Sequence, residues 1–275
     1  MKDYLETKKT IMKRFTKKTT SILLLFVTLI SCKVDIRQNN SATGNKIVNL
    51  RSCKVVVGQN NSATGNKNVI TEERAITESI TKIEVQEGIT VYLTMGSKDM
   101  LTVETDENLM SLIKTEFKNG NLKIFCEPNI KKSKARNVYL TADEIQTIET
   151  SSGARVISEN TLIADVLTVH SSSGSHIDLQ INADKLTSSS SSASHIKLKG
   201  RASNFSVKSS SGSSINAYNL NAKNVESKAS SGSHIKVTAT ESLKGKASSG
   251  GSINHKGNPK NIERKTSSGG NVSPG

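Results

Sequence analysis

Tryptophan is absent from this 275-residue chain, aromatic residues make up only 3% of it, and prolines and cysteines number three each. Each shortage excludes a class of protein. Three cysteines cannot frame a disulfide-stapled scaffold, and 18 glycines without a triplet period rule out a collagen-like rod. The composition is equally unlike that of a helical bundle. No apolar run reaches the roughly twenty residues that a membrane-spanning helix needs. From Ser151 to Gly275 the only aromatic side chains are Phe205 and Tyr218. That stretch therefore lacks the exposed rings on which bases and neutral sugars stack, and sequence-specific nucleic-acid binding is not expected. Acidic residues are scarce there too, seven against fifteen Lys and Arg, a net charge of +8.

What is present is a repeat. A corner of small residues ending in Gly or Ala, followed three positions later by Val or Ile, occurs seven times. The pairs are Gly153 with Val156, Gly174 with Ile177, Ala193 with Ile196, Gly212 with Ile215, Gly232 with Ile235, Gly250 with Ile253 and Gly269 with Val272. Intervals of 18 to 21 residues between corners mark a solenoid whose coils cannot bury their apolar faces alone. Seven residues before six of the corners stands a second apolar anchor: Leu167, Leu186, Phe205, Val225, Leu243 or Ile262. Side chains alternate around both anchors, the period of a half-buried strand. The expected fold is all-β: a parallel β-solenoid of short two-strand coils with a period of about nineteen residues. Each coil reads as strand, small-residue corner, strand and turn, with turns at Asn182–Lys185 and Asn221–Asn224. Small corners would let neighbouring coils sit close, and Ala193 would be comfortable only with a negative φ. A disordered Ser-rich tract would not place Ile or Val three residues after every corner.

The N-terminus carries an export pattern. Lys13-Arg14 and Lys17-Lys18 precede a largely apolar stretch from Ile22 to Ile30, which runs into Ser31-Cys32. Such an order is a secretory signal and not a membrane span. Leu29-Ile30-Ser31-Cys32 resembles a bacterial lipobox, which implies cleavage after Ser31 and a lipid on Cys32; Met12 is an alternative start. Lys33 after the cysteine resembles outer-membrane sorting, on the periplasmic or the outer surface. Beyond Cys32 a second repeat appears. Ser31-Cys32-Lys33-Val34 recurs as Ser52-Cys53-Lys54-Val55, and the nine residues Gln38–Lys46 recur as Gln59–Lys67, both offset by 21. Cys53, preceded by Arg51 and a polar run, reads as a copied cysteine without a lipid. The reading divides the chain into a lipoprotein signal at 1–31, a duplicated polar tether at 32–76, an N-terminal β region at 77–150 and solenoid repeats at 151–275.

The β region has its own order. Ile83-Glu84-Val85 leads through Glu87-Gly88 to Ile89–Leu93, two strands about a Gly turn, and Leu101–Thr105 gives a third. Asn119-Gly120 between Ile113–Phe117 and Leu122–Phe125 marks a hairpin. Cys126, with no partner in view, reads as a buried small hydrophobe. Glu87-Gly88-Ile89-Thr90-Val91, then Val103–Glu107, Asn119-Gly120-Asn121-Leu122 and the stacked Ser-Ser-Gly corners together resemble the head GIN domain of auto-transporter adhesins, found in bacteroidetes envelope lipoproteins. The resemblance spans about Ile80 to Lys265. It implies an exported, all-β, parallel-coiled domain and brings no catalytic residues and no cofactor.

Three sets of residues are candidates for chemistry. Lys208, Lys228, Lys246 and Lys265 each stand four residues before a corner, so they form one basic stripe suited to a polyanion; the alternative is a device that keeps the sheet soluble. His176 and His195, two residues after adjacent corners, would lie about 4.8 Å apart at the backbone. They form a two-His metal candidate that lacks a third ligand beyond Asp178; a polar ladder is the simpler reading. Asp165 and Asp184 share a column nine residues before their corners, where Asp is an ordinary turn residue. Catalysis is therefore not expected. The chain reads as a lipid-anchored cell-envelope protein presenting a binding surface to an acidic glycan or a protein. The alternatives are a polysaccharide-processing enzyme of β-helix type and an envelope-stress or lipid-binding accessory protein.

Overall fold

The computed structural model describes residues 62–275; Cys32, Cys53 and the export pattern lie outside the described residues. Strands β1 (Ala63–Thr64) and β2 (Val69–Arg74) open the fold, followed by β3 (Lys82–Val85), β4 (Thr90–Met95) and β5 (Met100–Asp106). After a 3-10 turn at Glu107–Leu112 come β6 (Ile113–Lys118), β7 (Asn121–Cys126), β8 (Ile130–Lys132), β9 (Arg136–Ala142) and β10 (Thr147–Thr150). The coils proper are β11 (Arg155–Ser171), β12 (His176–Ser190), β13 (His195–Ser209), β14 (Ser214–Ala229) and β15 (His234–Ala247). The last two coils hold β16 (Ser252–Lys256), β17 (Asn261–Thr266) and β18 (Asn271–Pro274).

From β10 onward every neighbouring pair is parallel. The expected solenoid is therefore the observed fold. Its two anchors form continuous inward columns. Val156, Ile177, Ile196, Ile215, Ile235, Ile253 and Val272 stack in one, and Leu167, Leu186, Phe205, Val225, Leu243 and Ile262 in the other. Only Ile262, in the final coil, is left 43% exposed. A third inward column runs Leu122, Ile83, Ile148, Val169, Ser188, Val207, Ser227, Gly245 and Arg264. It runs from large apolar side chains through alternating Val and Ser to a glycine, beside which Val272 packs. Arg264 then reaches the buried His255, Nη2 to Nε2 at 3.0 Å.

Several local expectations change. The segments at Asn182–Lys185 and Asn221–Asn224 are not turns but lie inside β12 and β14. Adjacent coils take up the backbone groups there through the ladder, so no local turn is needed. The chain rounds the corner by pointing two consecutive side chains outward, Asp184 with Lys185 and Lys223 with Asn224. The Ser-Gly corners are tight turns with both central residues left-handed, as in Ser173 at φ 51° and Gly174 at φ 71°, closed by Ser175 N–H to Ser172 O at 3.1 Å. Ala193 follows suit at φ 59°, against the expectation of a negative φ. What holds it is a ladder from corner to corner: Gly174 N donates to Ser192 O and Ala193 N to Ser211 O. A Cβ at Gly153, Gly174, Gly212 or Gly232 would meet nothing within 4 Å, so handedness and not crowding favours glycine there. Crowding falls one residue later, where Ser175, Ser194, Ser213 and Ser233 are fully buried and where a Cβ on Gly251 would come within 2.6 Å of the Ala229 carbonyl carbon.

The N-terminal region continues the coils. Glu87 (φ 60°) and Gly88 (φ 70°) form the same kind of corner, and Gly88 N donates to Ser152 O at 3.0 Å, extending the corner ladder. Accordingly β3 and β4 are not a hairpin: β3 lies parallel between β7 and β10, and β4 parallel between β9 and β11. The expected hairpin is β6 with β7, antiparallel about Asn119-Gly120. Antiparallel β5 pairs with β9 and is edged by β2. Residues 63–64 and 69–74, read as tether, are thus strands of the head. Cys126 is buried, and burial is the main cause that pushes its thiol up to about 11; Arg136 opposes the rise and Glu87 adds to it.

Candidate functional site

Because alternate residues of each coil point outward, the solenoid presents polar columns one residue wide, repeated at about 4.8 Å. Two faces carry the candidates. On the face that follows the corners, Arg155, His176, His195, Ser214, His234, Ser252 and Asn271 stand in one column. The His176 and His195 rings are 4.9 Å apart and tilted by 50°, and His195 Nδ1 lies 2.6 Å from Ser214 Oγ. Burial first, then His195 and Arg155, hold His176 below the ordinary histidine pKa. Asp178, two residues after His176 on the same strand, is bound by Lys197 Nζ at 3.1 Å. Among the described residues no three His, Cys, Asp or Glu side chains gather around a point that could hold a metal.

The neighbouring column on this face holds residues that sequence reasoning missed. Tyr139, Tyr92 and Ile157 continue into Asp178, Lys197 and Asn216. The two tyrosine rings stack at 5.2 Å and 14°, and Tyr139 donates to Glu104 Oε2 at 3.0 Å. Tyr92 stands four residues after Gly88, as Asp178 does after Gly174, so the corner spacing could have found it. No spacing points to Tyr139. At the other end, Tyr218 receives the ammonium groups of Lys256 and Lys236, 4.4 and 5.6 Å from the ring centroid.

The face that precedes the corners carries the lysines. Lys208, Lys228, Lys246 and Lys265 are register partners in four successive coils. Two residues away lies a second column, Ser206, Glu226, Lys244 and Glu263. Consequently the stripe is not purely basic: Lys228 pairs with Glu226 at 2.8 Å, and Glu263 holds Lys265 at 3.2 Å and Lys244 at 3.5 Å. The Lys228 hydrogen bond is the main cause that keeps the Glu226 carboxyl below its ordinary range, and Lys265 does the same for Glu263. Lys208 and Lys246 have no carboxylate partner among the described residues. A third column, Asn204, Asn224 and Ser242, is joined by its own hydrogen bonds, Ser242 Oγ to Asn224 Oδ1 at 2.7 Å. Between the second and third columns runs a shallow groove of about 410 Å³.

Asp165 and Asp184 are indeed register neighbours, lining a smaller hollow with Glu144. Ser203 Oγ donates to Asp184 at 3.4 Å.

A family model described as "Putative auto-transporter adhesin, head GIN domain" matches residues 79–259. Among solved structures, a putative adhesin from Bacteroides fragilis is 25% identical, with a TM-score of 0.71 over 78% of this chain and 100% of that one. A putative lipid binding protein from Parabacteroides distasonis is 20% identical (TM-score 0.65, 78% and 99% covered). A putative adhesin from Parabacteroides merdae is 17% identical (TM-score 0.62, 78% and 99% covered). The last two likenesses are of fold alone. No curated protein matches the chain.

Proposed function

Because this chain belongs to the head GIN domain family of putative auto-transporter adhesins, we propose that it is a lipid-anchored adhesin of the cell envelope that binds extended polyanions along its lysine face. The observation that carries this reading is the register of Lys208, Lys228, Lys246 and Lys265 on successive coils. Four ammonium groups at the strand-stacking interval match a linear acidic glycan better than a compact ligand. The ion pairs to Glu226 and Glu263 are exposed and screened by solvent and salt, so a polymer can exchange for them at small cost.

Replacing all four lysines by Gln is expected to leave the melting temperature nearly unchanged and to weaken retention on an acidic glycan such as heparin. Retention of the parent should fall steeply with added salt, because several counterions are released together. Unchanged retention at low ionic strength would leave the stripe as a solubility device. A lipid-binding reading predicts instead that anionic vesicles and not heparin discriminate parent from variant.

The anchor is tested separately. Labelled palmitate should enter the parent and Cys53→Ser but not Cys32→Ser, because an apolar run precedes only Cys32. Label lost from Cys53→Ser instead would reject the assignment.

A further inference from the structure

The first described residues of the chain sit in a clamp that holds their backbone and admits only glycine at one position. Ala63 N donates to Asn129 O at 2.9 Å and Gly65 N to Lys132 O at 2.8 Å. Asn108 grips the same strand from the other side, its Nδ2 donating to Thr64 O and its Oδ1 accepting from Asn66 N, both at 2.9 Å. Lys67, at φ 70°, donates its backbone N–H to the Asp106 carboxylate. Glycine is obligatory at 65, since a Cβ there would lie 2.4 Å from Asp106 Cγ. That carboxylate cannot withdraw, because it is fully buried and also accepts from the Lys134 and Ala135 amides. The ligand of the clamp is therefore a short peptide, Ser-Ala-Thr-Gly-Asn-Lys, held by backbone bonds and by one position that tolerates no side chain.

The sequence supplies that peptide twice. Ser41-Ala42-Thr43-Gly44-Asn45-Lys46 is identical to Ser62–Lys67, and Val48 repeats Val69. We propose that the clamp is a recognition site for this hexapeptide and that Ser41–Lys46 is its second ligand, able to take the place of Ser62–Lys67. Every clamp bond named above would be remade by the first copy. What the second copy adds lies beyond it: Asn68 Nδ2 to Glu107 at 2.9 Å, and Arg74 to the Ile113 and Met110 carbonyls at 2.7 and 3.1 Å. The first copy offers Ile47 and Cys53 at those positions. The rest of β2 is an edge strand with mostly exposed side chains, whose backbone pairing is indifferent to sequence. Both copies share one chain, so each competes at a high effective concentration. The second copy wins by the Asn68 and Arg74 bonds, and the first is held in reserve. Exchange would start the head nine residues after Cys32 in place of thirty, shortening the reach from the lipid without altering the lysine face.

Blocking one copy at a time tests this in the full-length chain. Gly65→Val should expel the second copy, and the intact first copy should then fill the clamp. Its melting temperature should lie above that of the Gly44→Val, Gly65→Val double variant, and the amides of residues 41–46 should exchange about tenfold or more slowly than in the parent. Gly44→Val alone should melt with the parent. If Gly65→Val and the double variant melt together, or if residues 41–46 exchange as fast in Gly65→Val as in the parent, the clamp has one ligand only and the proposal falls.

Discussion

Ile215→Asp is expected to unfold the solenoid, whereas Ser214→Asp should leave it standing. Ile215 is 1% exposed and stacks between Ile196 and Ile235 in the column that runs through all the coils. A carboxylate placed there has no cation or donor to meet it, and burying an unpaired charge or forcing its protonation costs several kcal/mol. That is comparable with the whole stability of an ordinary domain, about 5–15 kcal/mol. The position aggravates the loss, because each coil touches only its neighbours and a failed middle coil uncouples the two ends. Ser214 points outward and its Oγ lies beside His195, so an aspartate there finds solvent and a histidine. Thermal melts followed by circular dichroism separate the two variants; equal shifts would mean that inward and outward faces are misassigned.

Asp106→Ala should be the most damaging single change outside the coils. The carboxylate is fully buried and accepts backbone N–H bonds from Lys67, Lys134 and Ala135, so truncation leaves three donors unpaired at once. Hydrogen bonds to a charged group contribute about 1.5–3 kcal/mol each. Burial tends to raise the Asp106 pKa, but the backbone donors outweigh it and hold the group below its ordinary value. A folded pKa lower than the unfolded one means that the unfolded chain binds more protons. The stabilisation is therefore complete above the unfolded value of 3.8 and is lost as pH falls through the folded value. Urea melts between neutrality and strong acid should show the parent losing stability below about pH 4, and Asp106→Asn should show a flatter curve there. An Asn variant with the same acid slope as the parent would assign that slope to other carboxylates.

Legibility followed periodicity. Corner, first anchor and second anchor recur at fixed offsets, so the columns of Ile215 and Phe205, and the alignment of the four lysines, could be counted off the chain before any coordinates. Spacing along one column says nothing of the next, however. Glu226 and Glu263 stand two residues from lysines in alternate coils only, and their ion pairs depend on rotamers that no period encodes. Tyr139 was invisible for another reason: β9 joins the face from a non-repetitive region, and its place beside Tyr92 is fixed by long-range pairing. The turns expected at Asn182–Lys185 failed because turn residues are diagnostic where the backbone must satisfy itself. In a stack, the coils above and below do so. The strands at residues 63–64 and 69–74 were obscured by composition, since polar side chains on an outer strand look like a tether.

The uneven interior gives the rod a direction of wear. Toward the first coils the third column is built of Leu122, Ile83 and Ile148; toward the last it thins to Ser227, whose buried hydroxyl has no partner, then Gly245 and an exposed Arg264. In a one-dimensional stack the free energy of opening an end depends on the burial in that end coil and its single interface. Opening therefore starts at β17 and β18 and moves inward, each step leaving the remaining coils with their neighbours intact. Under heat or protease the last coils should therefore open first, one after another, before the coils that precede them.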